Sequence, residues 1–168
     1  EGDDFETVRQ WLLREAVLMA HGLEGLQDMA DDEGAEHPEV FFDIVTYHIE
    51  NNEVKRAEEV CFQGIEKIMA PHKKAVLADW LAQIAELDDD TILALKYRRQ
   101  AWRLEPTQRR LVTWCDTVNQ TPDDKILLEE VEFLKSLENN SYLRLICMLE
   151  VLAGEYEAPC RTLLDSDP

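Results

Sequence analysis

Residues 75–106, AVLADWLAQIAELDDDTILALKYRRQAWRLEP, decide the fold of this chain. They contain two apolar patterns of helical spacing, separated by three consecutive aspartates at 88–90 and followed by Pro106. Small side chains at Ala94 and Ala101 allow two helix backbones to approach closely. The stretch therefore predicts a helical hairpin. A hairpin of this kind cannot bury its apolar face alone, so we expect stacked hairpins beside it.

The same spacing occurs a second time, earlier in the chain. Ala57 and Gly64 are also seven positions apart, and each lies 37 residues before its counterpart in the later hairpin. A proline follows both pairs. Two pairs of small residues at one period indicate an internal repeat. We predict repeat-like units over residues 38–74 and 75–108.

The flanking segments, 3–30 and 109–168, are predicted to be helical but irregular. A helix from Phe5 to Ala20 is expected to have one apolar face, and Gly22 interrupts the pattern after it. That face comprises Phe5, Val8, Leu12, Ala16 and Met19. Further along, Thr121 precedes a proline and two aspartates, which predicts a helix with Thr121 as its N-cap. A last apolar stripe is predicted at Cys160, Leu163 and Leu164.

These hairpins resemble those of tetratricopeptide-like α-helical repeat proteins. The resemblance is carried by Ala57, Gly64 and Pro71 in one unit and by Ala94, Ala101 and Pro106 in the next. It implies an all-α fold, a right-handed α–α superhelix of stacked antiparallel helix pairs, as a single domain over residues 1–168. It also implies a non-catalytic scaffold or adaptor that holds a peptide or a partner domain on a concave surface. The chain departs from the pattern at Val45, where a small residue is expected.

A weaker resemblance is to the helical region of bacterial SWIM-type zinc finger proteins. It is carried by LALKYRRQAWRLEPTQRRL, residues 93–111, and by LRLICMLEVLAGEYEAPCRTLL, residues 143–164. The zinc motif of that family, a CxC followed by a CxH, is absent from the sequence. No metal-binding role is therefore carried over.

The charge of the chain narrows the range of partners. The net charge is −19, and residues 1–60 hold 17 acidic and 4 basic side chains, a net charge of −13. Such a chain repels nucleic acid and anionic lipid at long range, so we expect neither as a partner. No apolar run approaches the ~18 residues of a membrane span. The four cysteines are spread out within apolar patterns, which predicts buried thiols, a reducing compartment and a cytoplasmic location.

No residue pattern predicts catalysis, a metal site or a cofactor. The sequence has no glycine-rich phosphate loop, no nucleophile elbow and no histidine pair of metal-binding spacing. We therefore predict a protein that is not an enzyme. Two alternatives stay open. One is a structural or oligomerising segment of a larger protein, and the other is an enzyme or metal protein whose site lies between helices. The second would bring together two or more of His48, His72, Cys61 and Cys115.

The sharpest anomaly is a basic strip within the second hairpin and just after it. We predict the partner-binding residues to be Arg98, Arg99, Trp102, Arg103 and Arg110. Three interpretations compete: internal pairing with acidic helices, docking of an acidic peptide or partner domain, and nucleic-acid binding, which the surrounding negative charge opposes. Docking would use bidentate contacts from arginine to carboxylates beside an aromatic anchor.

Overall fold

A computed structural model describes residues 2–117, 122–157 and 159 of this chain, and the side chains from Val8 onward. All elements in those ranges are helical, which confirms the all-α prediction. Contacts divide the chain into two compact units, Glu1–Glu105 and Pro106–Pro168. The boundary falls at Pro106, two residues before the end of the second predicted repeat-like unit, 75–108. The expectation of one domain, and of a right-handed superhelix, stays a prediction.

The helices follow one another closely in each unit. The first unit contains α1 (Gly2–Glu33), α2 (Glu39–Glu50), α3 (Val54–Lys67), α4 (Pro71–Leu87) and α5 (Thr91–Leu104). The second contains α6 (Gln108–Asp116), α7 (Asp124–Ser136), a single 3₁₀ turn (Asn140–Tyr142) and α8 (Leu143–Leu152). Each helix of the first unit packs on the next one in sequence, and α7 packs on α8 in the second.

The 37-residue repeat is visible in the turns of the two hairpins. Asn52 between α2 and α3 has a φ of 59°, and Asp89 between α4 and α5 has a φ of 57°. In both turns the N–H of the next residue donates to a carbonyl in the last turn of the preceding helix. Glu53 donates to the carbonyl of His48 over 2.8 Å, and Asp90 donates to that of Ala85 over 2.9 Å. Both hairpins therefore have a residue in the left-handed conformation at the same position of the repeat.

The small residues of the repeat are buried where the prediction placed them. Ala57, Ala94 and Ala101 are each 0% exposed, and Gly64 is buried. The core of the first unit surrounds these positions. Its largest fully buried side chains, apart from Trp102 and His48, are Leu26, Phe41, Ile44, Ile68, Leu77 and Leu81. The apolar pattern of the sequence thus identifies the core of the two hairpins.

Aspartates cap the starts of α5 and α7, and the cap of α7 differs from the predicted one. Asp90 caps α5, because its carboxylate accepts a hydrogen bond from the N–H of Leu93 over 3.0 Å. Helix α7, however, begins at Asp124 with Asp123 as its cap, which accepts from the N–H of Lys125 over 2.8 Å. The prediction of Thr121 as the cap was therefore wrong, since an ionised carboxylate closer to the helix takes that role. Thr121 itself lies outside the described residues.

The predicted stripe of Cys160, Leu163 and Leu164 also lies outside the described residues. At the other end of the chain, the predicted interruption after Ala20 is confirmed. Helix α1 consists of two helical segments that meet in a kink at Gly22, whose φ of 66° and ψ of −156° are not helical. That combination of angles is accessible essentially only to glycine. The kink divides α1 into a first segment and a second segment that packs into the core through Leu26 and Ala30.

Gly64 lies where α3 packs tightly against its neighbours. A Cβ atom there would overlap Cδ1 of Leu77 on α4 and stand 3.0 Å from Cγ of Phe41 on α2. We expect Gly64→Ala to lower the free energy of unfolding by about 1–2 kcal/mol, since an overpacking cost of up to ~3 kcal/mol outweighs the ~1 kcal/mol that alanine gains in helix propensity. Urea denaturation followed by circular dichroism measures the difference.

The matched control is Gln63→Ala, on the exposed side of the same helix. We expect it to change the free energy of unfolding by less than ~0.5 kcal/mol. A Gly64→Ala protein as stable as the parent would show that α3 does not pack as closely as described.

Candidate functional site

Arg98, the first residue of the predicted basic strip, lies inside the second hairpin. Its side chain is 9% exposed. Nε and Nη2 both donate to the carboxylate of Glu86, over 3.0–3.1 Å, and Nη1 donates to Asp79 over 3.1 Å. Both acidic residues belong to α4, so Arg98 joins the two helices of its hairpin. For this residue the contacts match the interpretation of internal pairing.

The other residues of the strip are placed differently. Trp102 is 0% exposed, Arg99 and Arg110 are half-buried, and Arg103 is exposed. All four take part in polar, ionic or ring interactions within the chain. Arg110 belongs to the second unit, and the others belong to the first. The assignment of these five residues as a partner-binding site stays a prediction, in which Arg103 is the most accessible member.

The first segment of α1 has an apolar face that is exposed, whereas Arg98 and Trp102 of the basic strip are buried. Val8 is 53% exposed, Leu12 54% and Met19 87%, although they share one helical face with Ala16. Trp11, beside them, is 51% exposed. The spacing of these residues predicts a shared face but gives no reason to place it at the surface. We call Val8, Trp11, Leu12, Ala16 and Met19 the α1 face.

The other side of the same segment holds it against the first unit. Arg14 is 8% exposed, and its Nε donates to the carboxylate of Asp43 on α2. Val17 and Leu18 pack against the core beside it. A groove of about 650 Å³ follows the edge of the α1 face. It is lined by Val8, Gln10, Trp11 and Arg14 of α1 and by Glu36, His37 and Glu39. The α1 face is thus presented by a segment that is anchored elsewhere.

A second concave site lies among α1, α2 and α3. This cavity, which we call the His48 cavity, has a volume of about 310 Å³. His48 is 1% exposed, and its Nδ1 is 2.7 Å from a carboxylate oxygen of Glu53. This hydrogen bond is the main reason why the pKa of Glu53 lies below its ordinary value. His48 is therefore a buried residue of the first hairpin.

The second unit has an apolar cavity of about 570 Å³. Its lining includes Leu111, Cys115, Cys147 and Val151. Burial raises the pKa of the thiols of Cys115 and Cys147, helped by Asp116 and Glu150 respectively. In the first unit, burial raises the pKa of Cys61 to about 12. Because the thiolate is the nucleophile, these three cysteines stay protonated and unreactive at neutral pH.

Among the described residues, no three side chains of the types His, Cys, Asp and Glu come together as ligands for a metal ion. The described helices include none with the length and apolarity that crossing a membrane requires.

Comparison of the chain with protein-family models, with curated proteins and with solved structures gave no match.

The role of Arg98 can be tested by removing its charge while keeping its bulk. We expect Arg98→Met to lower the free energy of unfolding by about 2 kcal/mol, because two carboxylates lose their hydrogen bonds beside a buried stem. Lys96→Met, on the exposed side of α5, is the control and should stay within ~0.5 kcal/mol of the parent. Equal stability of the two variants in urea would contradict the buried ion pair.

The pair of His48 and Glu53 predicts how stability depends on pH. A carboxyl whose pKa is lower in the folded than in the unfolded chain stabilises the fold fully above its unfolded pKa, here about 4.5. That contribution is lost as pH falls through the lower, folded pKa. We expect the parent protein to lose more unfolding free energy than Glu53→Gln between pH 7 and pH 3, measured by urea denaturation at each pH. Equal losses of unfolding free energy in the two proteins would contradict the lowered pKa of Glu53.

Proposed function

We propose that this chain is a non-catalytic protein-interaction scaffold that binds a partner protein through the α1 face. The observation that carries the proposal is the exposure of that face, in which three large apolar side chains on one side of a helix are each more than half exposed. Proteins that work alone rarely expose a contiguous apolar patch of this kind. An amphipathic helix that packs against an apolar surface is a common form of protein recognition.

The size of the exposed side chains supports a binding role. Apolar surface removed from water contributes roughly 25 cal/mol per Å². Burial of a leucine or methionine that is now exposed is therefore worth about 1–2 kcal/mol, and an interface is usually dominated by a few such residues with an aromatic anchor. Trp11, half exposed at the edge of the α1 face and beside the groove, is the natural anchor.

Charge identifies the chemistry of the partner. The first 60 residues have a net charge of −13, and Glu36 and Glu39 line the groove next to the α1 face. A second copy of the chain would bring the same negative charge to the interface. We therefore propose an amphipathic helical segment that has an apolar side and basic flanking residues. Opposite charges would speed its association and fix its orientation.

The predicted basic strip gives a second proposal, an acidic peptide bound around Arg103. Arg103 is exposed, which favours it, whereas Arg98 already binds two carboxylates of α4. Reversing the charge in Arg99→Glu with Arg103→Glu should abolish capture of an acidic partner and leave helical content unchanged. Unfolding of that double variant would assign the strip to internal pairing.

The α1 face is tested with the paired substitution Leu12→Glu and Met19→Glu. We expect this variant to bind a fluorescent amphipathic helical peptide of leucine and lysine at least about tenfold more weakly than the parent, measured by anisotropy. A peptide of leucine and glutamate should bind neither protein. The control is Ile92→Glu, because Ile92 is 83% exposed but lies on α5.

An equal loss of affinity for the leucine–lysine peptide in the Ile92→Glu control would show that added charge, rather than the α1 face, controls binding. Light scattering of the parent over a range of concentrations gives the other decisive outcome. A dimer that the α1 variant abolishes would identify the occupant as a second copy of this chain and overturn the proposed partner.

A further inference from the structure

The His48 cavity contains a polar group that no described residue satisfies. His48 uses Nδ1 for its hydrogen bond to Glu53, and no described residue donates to or accepts from Nε2. The side chain is 98% buried and lines the cavity. Nε2 is not among the fully buried side-chain atoms of the described residues that lack a partner, so it stays accessible from the cavity, where a ligand atom can form a hydrogen bond with it.

The neighbour of His48 fixes what Nε2 can do. Because its pKa is lowered, Glu53 is ionised at neutral pH and can only accept a hydrogen bond. Nδ1 of His48 therefore carries the proton and donates it. In the neutral imidazole Nε2 is then an acceptor, and the complementary ligand atom is a donor, an N–H or an O–H.

The other charges of the cavity determine the charge of that ligand. Arg56 is neutralised by Glu53, 3.0 Å from its Nη1, and Asp31 is neutralised by Lys67. Glu59, also in the lining, forms no ion pair with any described residue. Among the carboxylates that line the cavity, Glu59 is therefore the one whose negative charge is not paired with a described residue. A ligand that has N–H donors and a positive charge matches both features.

The apolar part of the lining indicates the shape of the ligand. The apolar residues of the lining, which we call the apolar wall, are Ala30, Phe41, Ile44 and Val60, and Gln27 and Gln63 are among its polar residues. An alkyl chain would pack on the apolar residues while its terminal cation reaches the polar ones. Arginine and lysine side chains have this construction, and a volume of about 310 Å³ holds one such side chain.

We propose that the His48 cavity binds a long cationic side chain, Lys or Arg, supplied by a partner protein. Nε2 of His48 accepts one hydrogen bond from the cation, and Glu59 supplies the opposite charge. That the side chain comes from a partner rests on the proposed function. The preference of the cavity for an alkyl cation does not, because it follows from His48, Glu59 and the apolar wall alone.

The preference is tested with n-butylammonium, which is the lysine side chain without a peptide. Nuclear magnetic resonance titration of the parent protein at pH 7.5 should show a saturable shift of Nε2 of His48, with a dissociation constant that Glu59→Gln raises at least about fivefold. The control Glu66→Gln changes an exposed carboxylate of the same helix, outside the cavity, and should bind like the parent. N-butylacetamide, which has no charge, should give no saturable shift.

The proposal is overturned if butylammonium leaves Nε2 unperturbed or if Glu59→Gln and Glu66→Gln bind it equally. Neither side chain is part of the core, so we expect both variants to fold. The same spectra check this directly.

The source of the side chain is tested separately with the leucine–lysine peptide and a version in which its lysines are acetylated. Acetylation should weaken binding to the parent by a larger factor than binding to Glu59→Gln, and that difference would support a partner's lysine. If butylammonium binds but acetylation weakens binding to the parent and to Glu59→Gln by the same factor, the cavity keeps its cation preference and the partner source is wrong. Leu12→Glu with Met19→Glu should leave butylammonium binding unchanged, which separates a failure of the α1 face from a failure of the cavity.

Discussion

The first unit depends on the close approach of helix backbones at the small residues of α3 and α5. Ala57, Gly64, Ala94 and Ala101 are buried and have little or no side chain, which leaves room for the neighbouring helices. At Gly64 the space is filled by the large side chains of Leu77 and Phe41 from the two adjacent helices. The positions of the connecting turns and of the residues that line the His48 cavity follow from this packing.

The sequence predicted those features of the fold that depend on local spacing. The 37-residue period appears both in the buried small residues and in the left-handed turns at Asn52 and Asp89. Helix starts were less predictable, because Thr121 and Asp123 are both good caps and only the competition between them decides. Periodicity likewise says which residues of α1 share a face, but a face that a partner covers has the same pattern as one that the core covers.

The candidate sites show a second limit of sequence analysis. Arg98 and Arg99 are adjacent and identical, yet one lies in a hydrogen-bonded pair with α4 while the other is half-buried, because successive side chains point about 100° apart on a helix. A cluster of arginines in the sequence therefore overstates the positive charge that the surface offers. In contrast, the role of His48 depends on Glu53 and Glu59, which lie on the following turn and helix and become its neighbours only in the folded hairpin.

The kink at Gly22 has an evolutionary consequence. Its backbone angles exclude every side chain, and nothing fills the space beside it, so the constraint at this position is purely conformational. Replacement by any other residue would favour a straight α1 and turn the first segment, with its exposed leucine, tryptophan and methionine, in a new direction. Selection for binding through the α1 face would then act on Gly22, which is not part of that face. A single substitution at Gly22 would redirect the whole face at once.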